Sequence, residues 1–143
     1  MGNLKKDYLA AMKAHGIESF YIGGDAFNID CGYRETNIIL NSREEKPSAI
    51  FAMSGTIALG VMKAAEENNY SIPNDISLMG FDENVFLDYL STPLTTIAQP
   101  VKKISEIAVN AIIEHMDSES NISDWSSKML DTQLIKRKSV RTS

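Results

Sequence analysis

Three short polar segments of the sequence combine turn-forming residues with side chains that could contact a ligand. They are Gly-Gly-Asp-Ala-Phe at 23–27, Met-Ser-Gly-Thr at 53–56 and Phe-Asp-Glu-Asn at 81–84. Each by itself is also what an ordinary strand-to-helix turn contains. Ligands of an open parallel sheet, however, bind beyond the carboxyl ends of its strands. Taken together, the three segments therefore predict a small-molecule site at one edge of a sheet.

The side chains in these segments suit hydrogen bonding and stacking. A carboxylate such as Asp82 accepts hydrogen bonds from ligand hydroxyls, Ser54 adds a hydroxyl, and the ring of Phe27 can pack on the apolar face of a sugar. Asp82 or Asn84 could also simply cap the helical turn that follows. Glu83 and Asn84 are expected to be turn and capping residues.

The sequence contains no recognisable catalytic, metal-binding or cofactor-binding motif. Neither histidine is placed to activate a nucleophile, and no set of cysteines and histidines has the spacing of metal ligands. The glycine pair at 23–24 is not part of a GxGxxG pattern, and no GxxxxGK[ST] loop occurs. We therefore expect a binding protein with no catalytic residue, metal or cofactor. An alternative is that the chain is an enzyme on a doubly wound sheet, with Asp82 as the nucleophile.

The elements that must position these segments alternate between strand and helix. Helices are predicted at 4–15, 31–40, 56–69 and 101–116, and strands at 19–23, 48–53, 76–81, 94–98 and 129–138. Ser54 is a suitable N-cap for the third helix, and Pro100 a suitable start for the fourth. Strands separated by helices of this length indicate βαβ units. The predicted fold class is therefore α/β, a mostly parallel sheet with flanking helices.

The predicted helix at 101–116 has apolar residues around more than one stripe of its surface. A helix of this kind needs burial on more than one side. In a chain of 143 residues, which is enough for one domain, this pattern indicates that a packing partner is missing.

The overall composition excludes several classes of function. The net charge of −5 argues against nucleic-acid binding by this chain, because such binding requires clustered basic residues. The one dense basic cluster, at 136–138 with Arg141, is expected to be a solvated tail. The single cysteine, Cys31, rules out an internal disulfide. No apolar run is long enough to span a membrane. We expect a cytoplasmic protein.

Several separate blocks of the sequence match a known family in order and at the right spacing. They are PSAIFAMSGTIALG at 47–60, IPNDISLMGFDEN at 72–84, TPLTTIAQP at 92–100 and QLIKRKS at 133–139. With these blocks the chain resembles the lactose-repressor/galactose-repressor (LacI/GalR) family of bacterial transcription regulators over essentially its whole length. The resemblance departs at Ser54-Gly55, where the family usually has Asn-Asp. This departure implies either a different effector or a degenerate site, since Gly55 cannot replace a carboxylate.

The resemblance implies a periplasmic-binding-protein-like fold of type I, of which this chain is the second of two lobes. Residues 1–143 would then form part of an effector-binding and dimerisation domain. The resemblance further implies that the DNA-binding helix-turn-helix and most of the first lobe would be absent from this chain. In the family, the segment after the LTTIxQP block crosses to the first lobe, so the helix at 101–116 is expected to pack there. Without that lobe, it is expected to pack on another copy of the chain or on its own lobe.

The resemblance also implies roles for particular residues. Asp82, Ser54 and Phe27 would bind the effector, a sugar or a similar small molecule. Family dimers pair their second lobes, and the apolar residues expected at or near that homodimer interface are Leu59, Met62, Leu87 and Tyr89. The alternative for these four residues is that they are ordinary core or surface residues.

The function that the resemblance implies is that of the effector-binding and dimerisation fragment of a LacI-type repressor. Operator DNA would be bound only through the N-terminal domain that is not present here, and no membrane contact is expected. The alternative is a fragment of the sugar-binding protein of a transport system, which shares the two-lobed fold. The LTTIAQP and QLIKRKS blocks argue against this alternative because they are typical of the regulators.

Overall fold

The computed structural model of the protein describes residues 2–17, 23–42, 45–116 and 128–142. Its helices are α1 (Gly2–Ala14), α2 (Ile29–Ser42), α3 (Gly55–Glu67) and α4 (Val101–Met116), with a short 3-10 helix at Val85–Asp88. Its strands are β1 (Ala49–Ala52), β2 (Ser77–Phe81), β3 (Thr95–Ala98) and β4 (Gln133–Ile135). These elements agree with those predicted, except that the last strand is shorter. The strand predicted at 19–23 lies almost entirely outside the described residues.

The four strands form one sheet in the order β1-β2-β3-β4. β1, β2 and β3 run parallel, and β4 is antiparallel to β3. The three parallel strands therefore end at the same edge of the sheet, which we call the carboxyl edge. The predicted fold class, α/β with a mostly parallel sheet, is confirmed.

The core lies between α3 and the sheet. It is formed by buried aliphatic side chains of both elements together with those of the segment that precedes β3: Ala52, Ala58, Val61, Leu78, Leu87 and Leu94. α3 contributes through its repeat of small apolar residues at helical spacing, which gives it one narrow buried stripe. Burying this stripe removes apolar surface from water, at about 25 cal/mol for each Å².

α2 and α3 approach each other unusually closely, because a glycine on each helix faces the backbone of the other. A Cβ atom on Gly60 of α3 would lie 2.1 Å from the carbonyl oxygen of Ile29, and one on Gly32 of α2 would lie 2.2 Å from that of Ile57. Neither position has room for a side chain. The crossing of the two helices fixes α2, and with it the segment that precedes α2 at the carboxyl edge.

The segment after β4 returns across the other end of the sheet and is held by Ser139, which is fully buried. The hydroxyl of Ser139 donates to the carbonyl oxygen of Leu78 at 2.6 Å and accepts from the backbone N–H of Thr95 at 2.8 Å. Its own carbonyl oxygen accepts from the N–H of Leu78 at 2.7 Å. The C-terminal segment thus joins β2 to β3 through three hydrogen bonds at one residue.

α4 differs from the other elements because its apolar side chains remain exposed. Six of them are at least 40% exposed: Val101, Ile104, Val109, Ile112, Ile113 and Met116. The helix itself covers the range predicted for it. Among the described helices, none is long and apolar enough to cross a membrane.

Candidate ligand-binding site at the carboxyl edge of the sheet

Asp82 follows directly after β2 and has a left-handed backbone conformation, with φ of 68°. Aspartate adopts this conformation more readily than most residues. The N–H of Asp82 still donates to the carbonyl oxygen of Ile97 at 3.0 Å, which extends the β2–β3 pairing by one bond. The carboxylate is exposed, and its Oδ1 accepts from Nε2 of Gln99 at 2.6 Å. Within the described chain, Oδ2 has no hydrogen-bond partner and is open to a ligand.

Glu83 is directed to a different set of partners. Its Oε1 lies 2.5 Å from Nη2 of Arg137, and its Oε2 lies 3.1 Å from Nη1 of the same guanidinium. The hydroxyl of Thr96 also donates to Oε2. The expectation that Glu83 is only a turn or capping residue is therefore wrong, because its carboxylate is held in an ion pair with a side chain far along the chain. Asn84 does occupy the N-cap position of the 3-10 helix, but its side chain makes no capping hydrogen bond.

Arg137 is the centre of this polar cluster, and only 10% of its side chain is exposed. Besides Glu83, it contacts Asp88 through Nε and donates from Nη1 to the carbonyl oxygen of Leu94 at 2.7 Å. The prediction that the basic cluster at 136–138 is a solvated tail is wrong for this residue. The hydrogen bonds from Arg137 lower the pKa of Glu83, since they favour the ionised carboxylate.

Ser54 follows β1 and caps α3, as predicted. Its backbone is extended, and its Oγ accepts from the N–H of Ile57 at 3.2 Å. The same hydroxyl shares a hydrogen bond of 2.9 Å with Oγ1 of Thr56. A hydroxyl has one donor and two acceptor positions, so these two bonds leave Ser54 capacity for at most one further partner.

Phe27 lies in the loop that leads into α2, and half of its side chain is exposed. The loop is held on both sides of this residue. Arg34 forms an ion pair of 2.6 Å with Asp25, and Oδ1 of Asn28 caps α2 by accepting from the N–H of Cys31 at 2.8 Å. The hydrogen bond from Arg34 lowers the pKa of Asp25, so this carboxylate stays ionised. The exposed ring is thus carried by a loop with defined contacts.

The structure brings the three polar segments to one edge of the molecule. Ala52 pairs with Gly80, so Ser54 and Asp82 each lie two residues beyond a paired position on neighbouring parallel strands. The hydroxyl of Thr56 donates to the carbonyl oxygen of Phe27 at 3.5 Å, which joins the first segment to the second. No contact among the described residues joins Phe27 directly to Asp82.

Sequence reasoning missed Gln99 as part of this edge. Gln99 follows directly after β3, in the same way that Asp82 follows β2, and both strands end at the carboxyl edge. The signal for Gln99 in the sequence is its place directly after an apolar, strand-like run. Among the described residues, no cluster of three or more His, Cys, Asp or Glu side chains could hold a metal ion.

A family model for the periplasmic binding protein-like domain matches residues 2–140 of the chain. The chain belongs to this family. Curated proteins similar to it include the NTD biosynthesis operon regulator NtdR of Bacillus subtilis, 33% identical over 138 residues. Another is the HTH-type transcriptional repressor PurR of Klebsiella pneumoniae, 34% identical over 136 residues. These matches cover 95% and 93% of this chain, but only 41% and 39% of the relatives.

Solved structures of similar proteins agree with this periplasmic binding protein-like assignment. A LacI family transcriptional regulator from Enterococcus faecalis, crystallised with bound ribose, superposes with a TM-score of 0.82 at 29% identity. The match covers 96% of this chain and 49% of that one. Since the similar proteins include LacI family regulators, the resemblance of this domain to the LacI/GalR family is confirmed.

In this LacI/GalR-type domain, the four apolar residues expected at a dimer interface differ in exposure. Tyr89 is 83% exposed, whereas Leu59 and Met62 on α3 are partly buried. Leu87 is fully buried within the core of its own chain. The side chain of Leu87 therefore has no surface to offer a partner. The expectation for this residue is wrong because its 3-10 helix turns it inward.

Proposed function

We propose that the chain is the second lobe of the effector-binding domain of a LacI-type repressor that responds to a small sugar-like ligand. The observation that carries the proposal is the geometry of Asp82. Its exposed carboxylate lies at the carboxyl edge, with one oxygen held by Gln99 and the other open. Such a carboxylate accepts hydrogen bonds from ligand hydroxyls. The ribose-bound Enterococcus faecalis regulator supports a ligand of this class.

In this proposal Ser54 and Phe27 complete the wall of the site on this lobe. Ser54 contributes its remaining hydrogen-bonding position, and the half-exposed ring of Phe27 packs on the apolar face of the ligand. The other wall belongs to a first lobe. The chain spans about two fifths of the length of its curated relatives, which leaves ample sequence in them for such a lobe. The effector is then enclosed between two lobes rather than bound on one.

The exposed apolar face of α4 supports the same arrangement. Isoleucine and valine side chains at 104, 109, 112 and 113 remain at least 40% exposed on this helix. A contiguous apolar face of this kind marks an interaction surface. We propose that the first lobe covers it, and that two chains then pair through the surface around Tyr89, with Leu59 and Met62 nearby. The protein acts in the cytoplasm without catalysis, and an N-terminal domain contacts operator DNA.

The proposed mechanism is a shift between two populations. A ligand that contacts both lobes binds their closed arrangement more tightly than the open one. It stabilises the closed arrangement by this difference in binding free energy. Lobe closure then changes the spacing of the DNA-binding domains of the dimer. The coupling between effector and operator is reciprocal, so operator DNA also changes the affinity for the effector.

Substitution of Asp82 in the full-length regulator tests the proposal. Asp82→Ala should weaken binding of the effector by at least about tenfold, because hydrogen bonds to a charged group are lost. Operator binding without effector should stay unchanged. Affinity is measured by calorimetric titration with D-ribose, D-glucose and sucrose, and operator binding by fluorescence anisotropy.

Asp75→Ala is the matched control, because Asp75 is exposed and lies just before β2, at the end of that strand opposite to Asp82. It should leave both measurements unchanged. Effector affinity that is the same in Asp82→Ala as in the wild type would remove Asp82 from the site. Failure of the wild type to bind any neutral sugar would overturn the proposal that the ligand is a sugar.

A further inference from the structure

The left-handed backbone of Asp82, with φ of 68°, is a conformation that needs support from its neighbours. Although aspartate tolerates this conformation, an L-residue adopts other backbone angles at lower cost. On the amino side of Asp82, its N–H donates to the carbonyl oxygen of Ile97 at 3.0 Å, which fixes one peptide group to β3. The conformation is therefore secure only if the chain on the carboxyl side of Asp82 is also held.

Glu83 supplies this second restraint. Its Oε1 lies 2.5 Å and its Oε2 3.1 Å from two nitrogens of the Arg137 guanidinium, and the hydroxyl of Thr96 also donates to Oε2. Two parallel hydrogen bonds are the geometry in which arginine binds a carboxylate most firmly. Only 10% of the Arg137 side chain is exposed, so the ion pair is weakly screened by solvent.

The guanidinium of Arg137 is itself fixed to the sheet. Its Nη1 donates to the carbonyl oxygen of Leu94 at 2.7 Å, and the backbone N–H of Arg137 donates to Oγ1 of Thr95 at 2.9 Å. Leu94 and Thr95 are both buried where β3 begins. The position of Glu83 is therefore set relative to β3 by a residue of the C-terminal segment, 54 positions along the chain.

The same guanidinium contacts a second acid, Asp88, through Nε. Asp88 lies at the end of the 3-10 helix, and 62% of its side chain is exposed. The two acids share one cation, but only Glu83 adjoins the residue that is proposed to contact the ligand. Comparing them therefore separates an effect on Asp82 from a general effect on the stability of this cluster.

We propose that Arg137 is a positioning residue of the effector site: through Glu83 it keeps Asp82 in the left-handed conformation that presents its carboxylate to the ligand. This inference rests on the proposed function, because it assumes that Asp82 contacts the effector. Arg137 acts through the backbone between positions 82 and 83. Without the restraint, Asp82 occupies other conformations for part of the time. The apparent affinity then falls with the fraction of chains that remain competent to bind.

The experiment is calorimetric titration of the full-length regulator with D-ribose, D-glucose and sucrose at neutral pH. Glu83→Ala removes the restraint and should weaken binding by about fivefold or more, the result of a competent fraction that falls to about one fifth. Asp88→Ala is the matched control, since it removes the other carboxylate of the same guanidinium. It should bind within about twofold of the wild type. Thermal unfolding verifies that each variant is folded at the temperature of the titration.

A double variant tests whether Glu83 and Arg137 act as one unit. Arg137→Met should weaken binding about as much as Glu83→Ala, because both changes remove the same contact. Combining them should add less than about twofold to the loss of either alone. Glu83→Gln keeps one acceptor oxygen for the guanidinium and should lose less affinity than Glu83→Ala. If Arg137→Met does not fold, Glu83→Ala and Asp88→Ala decide the matter.

Three outcomes would overturn the inference while the proposed function stands. One is wild-type affinity in Glu83→Ala together with loss of binding in Asp82→Ala. Another is an equal loss in Glu83→Ala and Asp88→Ala, since the cluster would then act without any preference for the neighbour of Asp82. The third is a double variant in which the two single losses multiply. If the wild type binds none of the sugars, the proposed function fails and the inference fails with it.

Discussion

α3 and α4 are both apolar helices, but the chain buries one and leaves the other exposed. α3 places Ala58, Val61 and Ala64 in the core, each at most 2% exposed. α4 is longer, and its side chains Ile112 and Ile113 are both 52% exposed. The comparison shows that the apolar content of a helix does not by itself decide whether the helix is buried. Burial also requires a partner surface of matching shape within the same chain.

The physical reason for the difference lies in the size of the contacting residues. Four of the five buried residues of α3 are alanine or glycine, and the backbone of α2 lies so close to Gly60 that a Cβ atom there would be 2.1 Å from a carbonyl oxygen. α4 instead carries bulky branched side chains on several sides. Such a surface is buried only when another body covers it, and in the described chain no other element does so to any large extent.

The largest effect should come from filling the contact between α2 and α3. Gly60→Ala places a Cβ atom 2.1 Å from the carbonyl oxygen of Ile29 and 2.5 Å from the nitrogen of Tyr33, and neither backbone can move alone. We expect a loss of about 3 kcal/mol or more in the free energy of unfolding, measured by urea denaturation.

Gly55→Ala is the control for the loss of glycine itself. Its new Cβ would lie 3.3 Å from a methyl group of Leu87, which a small side-chain shift can relieve. The cost should stay within about 1 kcal/mol. Equal losses in the two variants would show that the close helix contact contributes nothing special to stability.

A smaller loss should follow from Arg137→Met, which removes the partner of two carboxylates in the packed region. Glu83 keeps only 29% of its side chain exposed and would retain an unpaired charge. We expect about 2 kcal/mol of destabilisation by urea denaturation. Lys102→Met on α4 is the matched change, because its pair with Glu106 is exposed and 4.0 Å long. It should alter stability by less than about 0.5 kcal/mol.

The same ion pair should make stability depend on pH. The pKa of Glu83 is lowered in the folded chain, so in acid the unfolded state binds more protons than the folded state. The contribution of Glu83 is complete above its ordinary pKa of about 4.3 and is lost as the pH falls through the lowered value. Glu83→Gln should flatten the stability curve below about pH 4.5 in urea titrations. If the free energy of unfolding of Glu83→Gln depends on pH as steeply as that of the wild type, other carboxylates cause the acid sensitivity.

The smallest effect should come from a polar substitution on α4 of this chain alone. Ile112→Ser changes a side chain that is already 52% exposed, so the free energy of unfolding should shift by less than about 0.5 kcal/mol. In the full-length regulator, where we propose that the first lobe covers α4, the same substitution should cost more than about 1 kcal/mol. Equal effects in both proteins would argue that nothing covers this face. Val61→Ser, at a buried position on α3, should be costly in both.

Most elements were predictable from the sequence because their signals are local. Ser54 caps α3, and Pro100 precedes α4, as their residue types indicate. The polar segments after β1 and β2 were also found, since they follow apolar runs directly. The partners of these segments were not found. Arg137 lies 54 residues from Glu83, and nothing in its neighbourhood in the sequence distinguishes it from the exposed Lys136 and Lys138.

The sequence by itself determined the order of strands and helices, the class of fold and the position of the polar segments. These depend on periodicity, caps and turn residues, which act over a few neighbours. Only the tertiary structure decided which acid of the pair at 82–83 is exposed for a ligand and which is held in an ion pair. That choice depends on Gln99 and Arg137, which neighbouring strands and the returning C-terminal segment bring to the two carboxylates.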